Sequence, residues 1–412
     1  INIESLDNID IPKDWKIKKL HSLTKKIGSG ITPNGGEKVY KKEGHPFLRS
    51  QNIGWGILLT DNVVFIDDEI HNSFKSTEIQ TDDVFLNITG ASIGRSAVAN
   101  VFVKGGNVNQ HVCIIRTKKE ELSPYFLNSF LLSRKGQNLI ESYQAGGNRQ
   151  GLNFEQIKSF KIPLPSLPEQ KAIAQLLSTW DDVITKTQSL IAKKEQRKKW
   201  LMQNLLTGKK RLKGFGGEWK EVKLNDISEI DKLSLSNQTP DDYSFQYLSL
   251  SDVDAGATEI KSEKLSFKGS PSRARRIVRK GDVLLATVRP NLQGFLIIRD
   301  DVKDLIASTG FAVISCTKIN NEFLYQFLFT KNLMNQIESF LTGSNYPAIN
   351  SSDVRDLKVP LPSMEEQNVI SEVLQKADTE IQLLKNKMGK LKEQKKGLMQ
   401  VLLTGKKRLK IK

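Results

Sequence analysis

Four histidines, two cysteines and a scatter of carboxylates are what this 412-residue chain offers for catalysis. His21, His45, His71 and His111 form no His-Glu-x-x-His pair, and Cys113 and Cys316 form no Cys-x-x-Cys. There is no Gly-x-Ser-x-Gly elbow either. Metal-dependent hydrolysis and triad chemistry therefore lack candidates. The Gly-Lys pairs at Gly208 and Gly405 lack both the earlier glycine and the following Ser or Thr of a phosphate-cradling loop. We find no dinucleotide or AdoMet fingerprint. Pro240-Asp241 with Glu259-Ile260-Lys261 has the letters of a nuclease site, in which two carboxylates hold Mg²⁺ beside a lysine. In a chain that is 26% charged such letters recur by chance, and they have no counterpart in the first half. They leave a self-sufficient nuclease or modification enzyme as the alternative to a binding protein. No catalytic or metal-ligating residue is assigned, and no cofactor is expected in this chain.

What the polar residues do offer is base-edge chemistry, since Arg pairs bidentately with guanine and Asn or Gln with adenine. In the first half the candidates are Arg49, Gln51 and Asn52, the turn carrying Thr89, Gly90, Ser92 and Arg95, then Asn109, Gln110 and His111, then Asn148 and Arg149. In the second they are the basic run Arg273, Arg275, Arg276 and Arg279, joined by Arg289, Asn291 and Gln293 and by Asn345 and Tyr346. The arginine run suits phosphates as well as bases, and the glycine-rich turns are also what plain turns look like. A net charge of +16, from 62 Lys and Arg against 46 Asp and Glu, favours a polyanion, nucleic acid rather than membrane.

The elements that must position these residues are announced by a repeat. Residues 161–213 read KIPLPSLPEQ through LLTGKKRLK, and residues 358–410 read KVPLPSMEEQ through LLTGKKRLK, at a constant offset of 197. Ser166 with Glu169, and Ser363 with Glu366, fit capping boxes, and Gly208 and Gly405 stand where a left-handed residue ends a helix. Between these signals apolar positions step by four and three: Ile173, Leu177, Trp180, Ile184, Ile191, Leu201 and Leu205, then Ile370, Leu374, Ile381, Leu384, Met388, Leu391, Leu398 and Leu402. That spacing is a coiled-coil seam. About 39 residues at about 1.5 Å each make a rod of about 58 Å, and the two rods are expected to pair antiparallel. Two ordinary amphipathic helices, or a coiled-coil adaptor that binds no DNA, are the plainer alternatives.

Around the rods lies soluble, mixed sequence. The chain is 38% hydrophobic, has no run of eighteen apolar residues, and opens on INIESLDNIDIP, which is not a signal peptide; with its two cysteines in apolar runs, the cytoplasm is expected. Strands are expected at residues 83–88, 96–102, 112–116, 281–287, 295–298 and 311–316, and one helix each at residues 124–143 and 322–340. The fold class expected is α+β: two mixed α/β domains in a tandem pseudo-repeat, residues 1–165 and 214–362. Two long antiparallel coiled-coil helices, residues 166–213 and 363–412, separate them.

These features resemble one family. IPKDWKIKKL with its echo EWKEVKL, DDVFLNITGASIGR with GDVLLATVRP, and above all IPLPSLPEQKAIAQLL and VPLPSMEEQNVISEVL with their LLTGKKRLK ends are similar to DNA-specificity subunits of type I restriction-modification systems, over the whole length. The resemblance implies two target-recognition domains, each reading one part of a split double-stranded DNA sequence, with the paired helices as spacer. It also implies two modification subunits that bind AdoMet and methylate adenine, motor-nuclease subunits that use ATP and Mg²⁺, and no catalysis by this chain. Because the loop VRPNLQG departs from TGASIGR while the scaffolds agree, the two half-sites are expected to differ. Rods of 50–60 Å would span more than one turn of B-DNA, about 34 Å.

Overall fold

The computed structural model describes residues 11–144, 151–254, 256, 260–342 and 347–410. By contacts the chain divides into two compact units, Ile1–Gln188 with Asn386–Lys412, and Ser189–Lys385. The division falls inside both long helices rather than at their ends. Each unit is therefore one mixed domain together with half of each helix.

In the first unit the central sheet orders its strands Thr24–Ser29, Val112–Thr117, Val84–Asn87 and Ser96–Val98, all antiparallel. Alternation sends Val84, Leu86, Cys113 and Ile115 towards Phe126, Leu127 and Phe130 of a helix, while Phe85, Ile114 and Val112 face Leu48 and Val108 of a second sheet. A strand buried on both faces reads as a continuous apolar run, which is why Val84–Asn87 is legible as one. The second sheet holds His45–Leu48 between Val64–Ile66 and the parallel Asn107–Val108. Lys16–Lys19 pairs with Lys161–Leu164, so the KIKK that follows IPKDW clamps the approach to the first long helix.

The second unit repeats this scheme. Ser228–Ile230, Phe311–Cys316, Val283–Ala286 and Phe295–Ile297 form its central sheet in the same order. Ser244–Leu248 lies between Glu263–Ser266 and the parallel Leu305–Ser308, with Ala274–Ile277 added outside. Lys220–Lys223 clamps Lys358–Leu361.

Each single helix expected after these sheets is two. Pro124–Leu132 gives way to Arg134–Ser142, and Asn321–Leu328 to Lys331–Phe340. The break is a new N-cap: Ser133 Oγ accepts from the Gly136 amide at 3.1 Å, and Thr330 Oγ1 from Leu333 at 3.3 Å. Strand Ser96–Val98 is also shorter than expected, ending before Asn100.

The long helices are Leu167–Leu205 and Met364–Leu402, 39 residues each. Both end at a left-handed glycine, Gly208 (φ +70°) and Gly405 (φ +72°). Beyond it Lys210 N–H reaches back to Asn204 O, and Lys407 N–H to Val401 O, both at 3.0 Å, so each satisfies a carbonyl of the last turn. A Cβ on Gly405 would stand 2.3 Å from Pro12 Cδ, so this site needs glycine for space as well as for φ. Ser363 Oγ accepts from the Glu366 amide at 3.3 Å, as an N-cap should. The capping-box carboxylates do something else: Glu169 and Glu366 turn inward to an arginine and an indole.

Within each unit the helix halves run antiparallel. In the first, Ile173 and Leu177 pack with Leu398 and Leu402, and Asp181 pairs with Lys395 at 2.5 Å. In the second, Leu201 and Leu205 meet Ile370 and Leu374, while Lys194–Glu380 and Lys198–Asp378 close at 2.5 Å and Lys385–Glu195 at 2.7 Å. Ile191 and Ile381 are buried, and Trp180, Ile184, Leu384, Met388 and Leu391 are half-buried. The seam thus carries lysines whose stems cover apolar surface while their ammonium groups find carboxylates on the other helix.

One buried carboxylate distinguishes the units. Asp83 receives a bidentate Arg116, both bonds 2.8 Å. Its counterpart by strand register, Asp282, faces Ser315 Oγ at 2.6 Å instead. Desolvation therefore raises the Asp282 pKa above the usual aspartate value, the Ser315 and Arg279 hydrogen bonds only partly opposing it. A raised folded pKa gives stability that is full below the unfolded value and lost as pH rises through the folded one. Ser315→Arg is expected to lower that pKa and reverse this slope for the second unit. Thermal melts between acidic and neutral pH check it; an unchanged slope would refute the pairing.

Candidate nucleic-acid interface

In the first unit the parallel pair His45–Leu48 and Asn107–Val108 ends at the same edge as Val84–Asn87, so three loops emerge together. Asn87 Nδ2 donates to Ser50 O at 2.8 Å, tying the loop of residues 49–52 to the turn of residues 89–95. Thr89 Oγ1 lies 2.6 Å from His111 Nδ1, and the Ile88 amide donates to His111 O at 3.0 Å. Thr89 also bridges to Gly151, and the Leu152 amide donates to Ile88 O at 2.9 Å. Asn148 and Arg149, just before that bridge, lie outside the described residues. The structure therefore brings together Arg49, Gln51, Thr89, Gly90, Ser92, Arg95, Gln110 and His111.

Two expected base readers are turned inward. Asn52 is buried; its Oδ1 accepts from the Arg49 amide at 2.9 Å and its Nδ2 donates to Leu59 O at 3.1 Å. Asn109 is buried too, and its Oδ1 accepts from the His111 amide at 3.1 Å. Both are buried and hold turns by bonding neighbouring backbone groups, which turns them away from a base edge. Gln51 and Gln110 are exposed beside them. Arg49 lies over Tyr40, 5.3 Å from the ring centroid, with Nη2 on Asn62 O at 3.3 Å. Arg49 Nε, Arg95 Nε and Asn87 Oδ1 are buried and hydrogen-bond to nothing among the described residues. Three unpaired polar atoms at one edge mark a site rather than a core. Gln137 fixes the turn from below, donating to Gly94 O at 3.0 Å. Gly94 holds φ +85°, a backbone that favours glycine, and a Cβ there would press on the end of the Gln137 side chain at 2.5 Å.

The second unit builds the same edge from other residues. Ser249–Asp252 take the place of Arg49–Asn52, with Asp252 Oδ2 accepting from the Ser249 amide at 2.9 Å. Register puts Arg289 where the first unit has Gly90 and Gln293 where it has Gly94. Both keep a left-handed backbone, φ +50° and +54°. The Arg289 amide donates to Pro347 O at 2.8 Å, and the Ile349 amide to Thr287 O at 2.9 Å, so the loop after the helices again meets this turn. Asn345 and Tyr346 lie outside the described residues. Arg289 and Asn291 are exposed and Gln293 is half-buried.

The run Arg273 to Arg279 does not make one patch. Ala274–Ile277 runs antiparallel to Leu305–Ser308, which puts exposed Arg273 at the loop edge and Arg279 at the opposite end of the sheet, where its amide caps Asp282. Arg275 stacks on Phe267 at 4.7 Å, and Arg276 pairs with buried Asp231 at 3.0 Å. Strand alternation with a bulge between Ala274 and Arg276 scatters the four. Of the nuclease-like letters, Asp241 pairs with Lys268 at 3.2 Å on the surface, and Glu259 lies outside the described residues.

Sequence reasoning missed two features. One is the apolar hairpin around Trp55; the other is the buried Glu169 and Glu366, each clamped by the arginine of a GKKRLK tail, which the motif alone marks only as charge.

Compared with known proteins, residues 12–195 and 216–393 each match the type I restriction modification DNA specificity domain. The type I restriction enzyme MjaVIII specificity subunit of Methanocaldococcus jannaschii is 24% identical over 427 residues, 99% of this chain and 96% of that one. The S subunit of a type I restriction-modification system from M. genitalium shares the fold at a TM-score of 0.57 and 16% identity, over 100% of this chain and 99% of that one. A chain from a structure on complex assembly and conformational transition of the type I R-M system aligns at a TM-score of 0.59 and 18% identity, over 95% and 98%. With two copies of one domain laid on two copies of one topology, the chain belongs to the type I restriction-modification DNA specificity family.

Proposed function

We propose that this chain is the sequence-reading subunit of a type I restriction-modification complex and has no catalytic step of its own. Each loop edge reads one half of a bipartite, asymmetric double-stranded DNA target. Two modification subunits, which carry AdoMet, dock on the long helices, and motor-nuclease subunits carrying ATP and Mg²⁺ complete the assembly in the cytoplasm. No helix among the described residues is long and apolar enough to cross a membrane. The observation that carries the reading is that one edge of one topology is built twice with different polar side chains, exposed Gln51 and Gln110 with half-buried Arg95 in one copy, exposed Ser251, Arg289 and Asn291 in the other. Like scaffolds with unlike readers suit unlike half-sites. The relatives, a specificity subunit and a chain from a study of type I complex assembly, support the partners.

The paired helices then set how many base pairs go unread. Inserting seven residues at matching levels of both helices keeps the 3.5-residue seam and adds about 10.5 Å. At about 3.4 Å per base pair the tolerated spacer is expected to lengthen by about three. Mapping methylated adenines in DNA treated with the reconstituted methylating complex checks this. Altered half-site sequences would defeat the spacer role, and cleavage or methylation by the purified chain alone would defeat the reading as a whole.

A further inference from the structure

Trp55, Ile57 and Leu59 stand out of the first unit, 59%, 54% and 44% exposed. Large apolar side chains that cluster at the surface mark a contact. These three share one hairpin, and its backbone is fixed on three sides. Ile53 bridges Leu58, and the Gly54 amide donates to Ile57 O at 2.9 Å. The Leu59 amide donates to Asn52 O at 2.8 Å and is answered by Asn52 Nδ2 on Leu59 O. The Gly56 amide donates to Ser96 O at 2.9 Å. The finger is therefore preformed and needs no ordering on binding.

Its position joins it to the loop edge. It springs directly from Gln51 and Asn52, and Ser96, its anchor, adjoins Arg95. An apolar tip thus sits among Arg49, Gln51 and Arg95, the residues with donors for phosphate and base edges. Gly54 and Gly56 flank Trp55, and Gly56 holds φ +88°, which presents the indole at the turn. In sequence the second unit offers no large apolar residue at that place: buried Val253 is followed by Asp254, Ala255, Gly256, Ala257, Thr258 and Glu259. That asymmetry selects the occupant. A surface for modification subunits, two copies on a twofold-repeated scaffold, would be built in both units, whereas a contact to unlike half-sites is needed in only one.

Resting on the reading of this edge as a DNA interface, we infer that the Trp55 finger is a wedge that opens one base step at the first half-site, with the indole stacked on a base and Ile57 against its neighbour. B-DNA offers an apolar side chain few faces except thymine methyls and the faces freed when a step is unstacked.

The test uses the full chain assembled with its modification subunit and duplexes carrying 2-aminopurine at successive positions of the first half-site, whose fluorescence rises when the base unstacks. The wild-type assembly is expected to brighten one position. Trp55→Ala is expected to abolish that signal and weaken specific binding roughly 5- to 150-fold, the range for loss of one base–aromatic stack. Trp55→Phe is expected to keep part of both, and melting temperatures are expected not to move. No brightening at any position, or unchanged affinity in Trp55→Ala, overturns the wedge while leaving the interface standing. Loss of the modification subunit from Trp55→Ala without DNA would mean the finger docks protein and also overturns it. If the wild-type assembly bound no specific DNA, the interface reading itself would fall.

Discussion

Arg408→Ala is expected to cost the first unit about 2–3 kcal/mol, and Arg211→Ala to cost the second a similar amount. Glu169 is 2% exposed and accepts Arg408 Nε at 2.5 Å, Arg408 Nη2 at 2.7 Å and Trp15 Nε1 at 3.3 Å. Arg408 also holds Asp14 at 2.8 and 2.9 Å, and its side chain packs over the Trp15 ring. The second unit repeats the clamp: Glu366, 1% exposed, takes Arg211 at 2.6 and 2.5 Å and Trp219 Nε1 at 3.1 Å. Removing the arginine leaves a buried carboxylate with one indole N–H. Uncompensated buried charges of this kind cost about 3–5 kcal/mol, and the partial exposure of both arginines brings the figure down. For units of this size the melting temperature should fall by about 5–10 °C, followed by tryptophan fluorescence. Adding Glu169→Gln to Arg408→Ala should restore part of the loss, because a neutral amide is cheaper to bury. Arg408→Lys should not, since an ammonium cannot reproduce the fork. Unchanged melting in Arg408→Ala would show the clamp to be an idle surface pair.

Arg289→Gly combined with Gln293→Gly is expected to do the reverse: leave the second unit as stable as before or slightly more so, yet blind it. Both residues sit at positive φ, where the first unit has Gly90 and Gly94 at +70° and +85°. An L-residue there costs about 1–2 kcal/mol, and relief of that strain offsets the entropy glycine adds to the unfolded chain. A side chain kept at a strained turn, on the edge where readers emerge, points to a role outside folding. Loss of a bidentate contact removes about 1–3 kcal/mol of discrimination, so methylation at targets with the correct second half-site should drop 10- to 100-fold, while preference at the first half-site is retained. A lower melting temperature with recognition intact would make the pair structural instead.

The long helices were legible because nothing interrupts them: seam spacing, Ser cap and Gly stop lie within one stretch, and the ends match at the 197-residue offset. Loops between strands broke that offset. Val84 answers to Val283 and Leu48 to Leu248, separations of 199 and 200, so Ser249–Asp252 escaped notice as the partner of Arg49–Asn52. Glu169 fitted a capping box by local spacing, but its partner is 239 residues away, and no local pattern encodes that. The arginine run looked like a patch because a one-dimensional reading cannot see a bulge turn alternate residues to Phe267 and Asp231. Ser133 and Thr330, by contrast, were readable caps inside what passed for single helices.

The division of the chain has a consequence for its synthesis. Ser189–Lys385 is one uninterrupted segment, whereas the first unit is assembled from Ile1–Gln188 and Asn386–Lys412. When a ribosome has delivered Lys385, the second unit possesses Arg211, Glu366 and both its helix halves. Glu169 and Trp15, made more than two hundred residues earlier, still wait for Arg408, and Ile173 and Leu177 for Leu402. Such long waits expose apolar surface during folding. The inserted unit can be finished in order of translation; the enclosing one is closed only by the last segment of helix and tail.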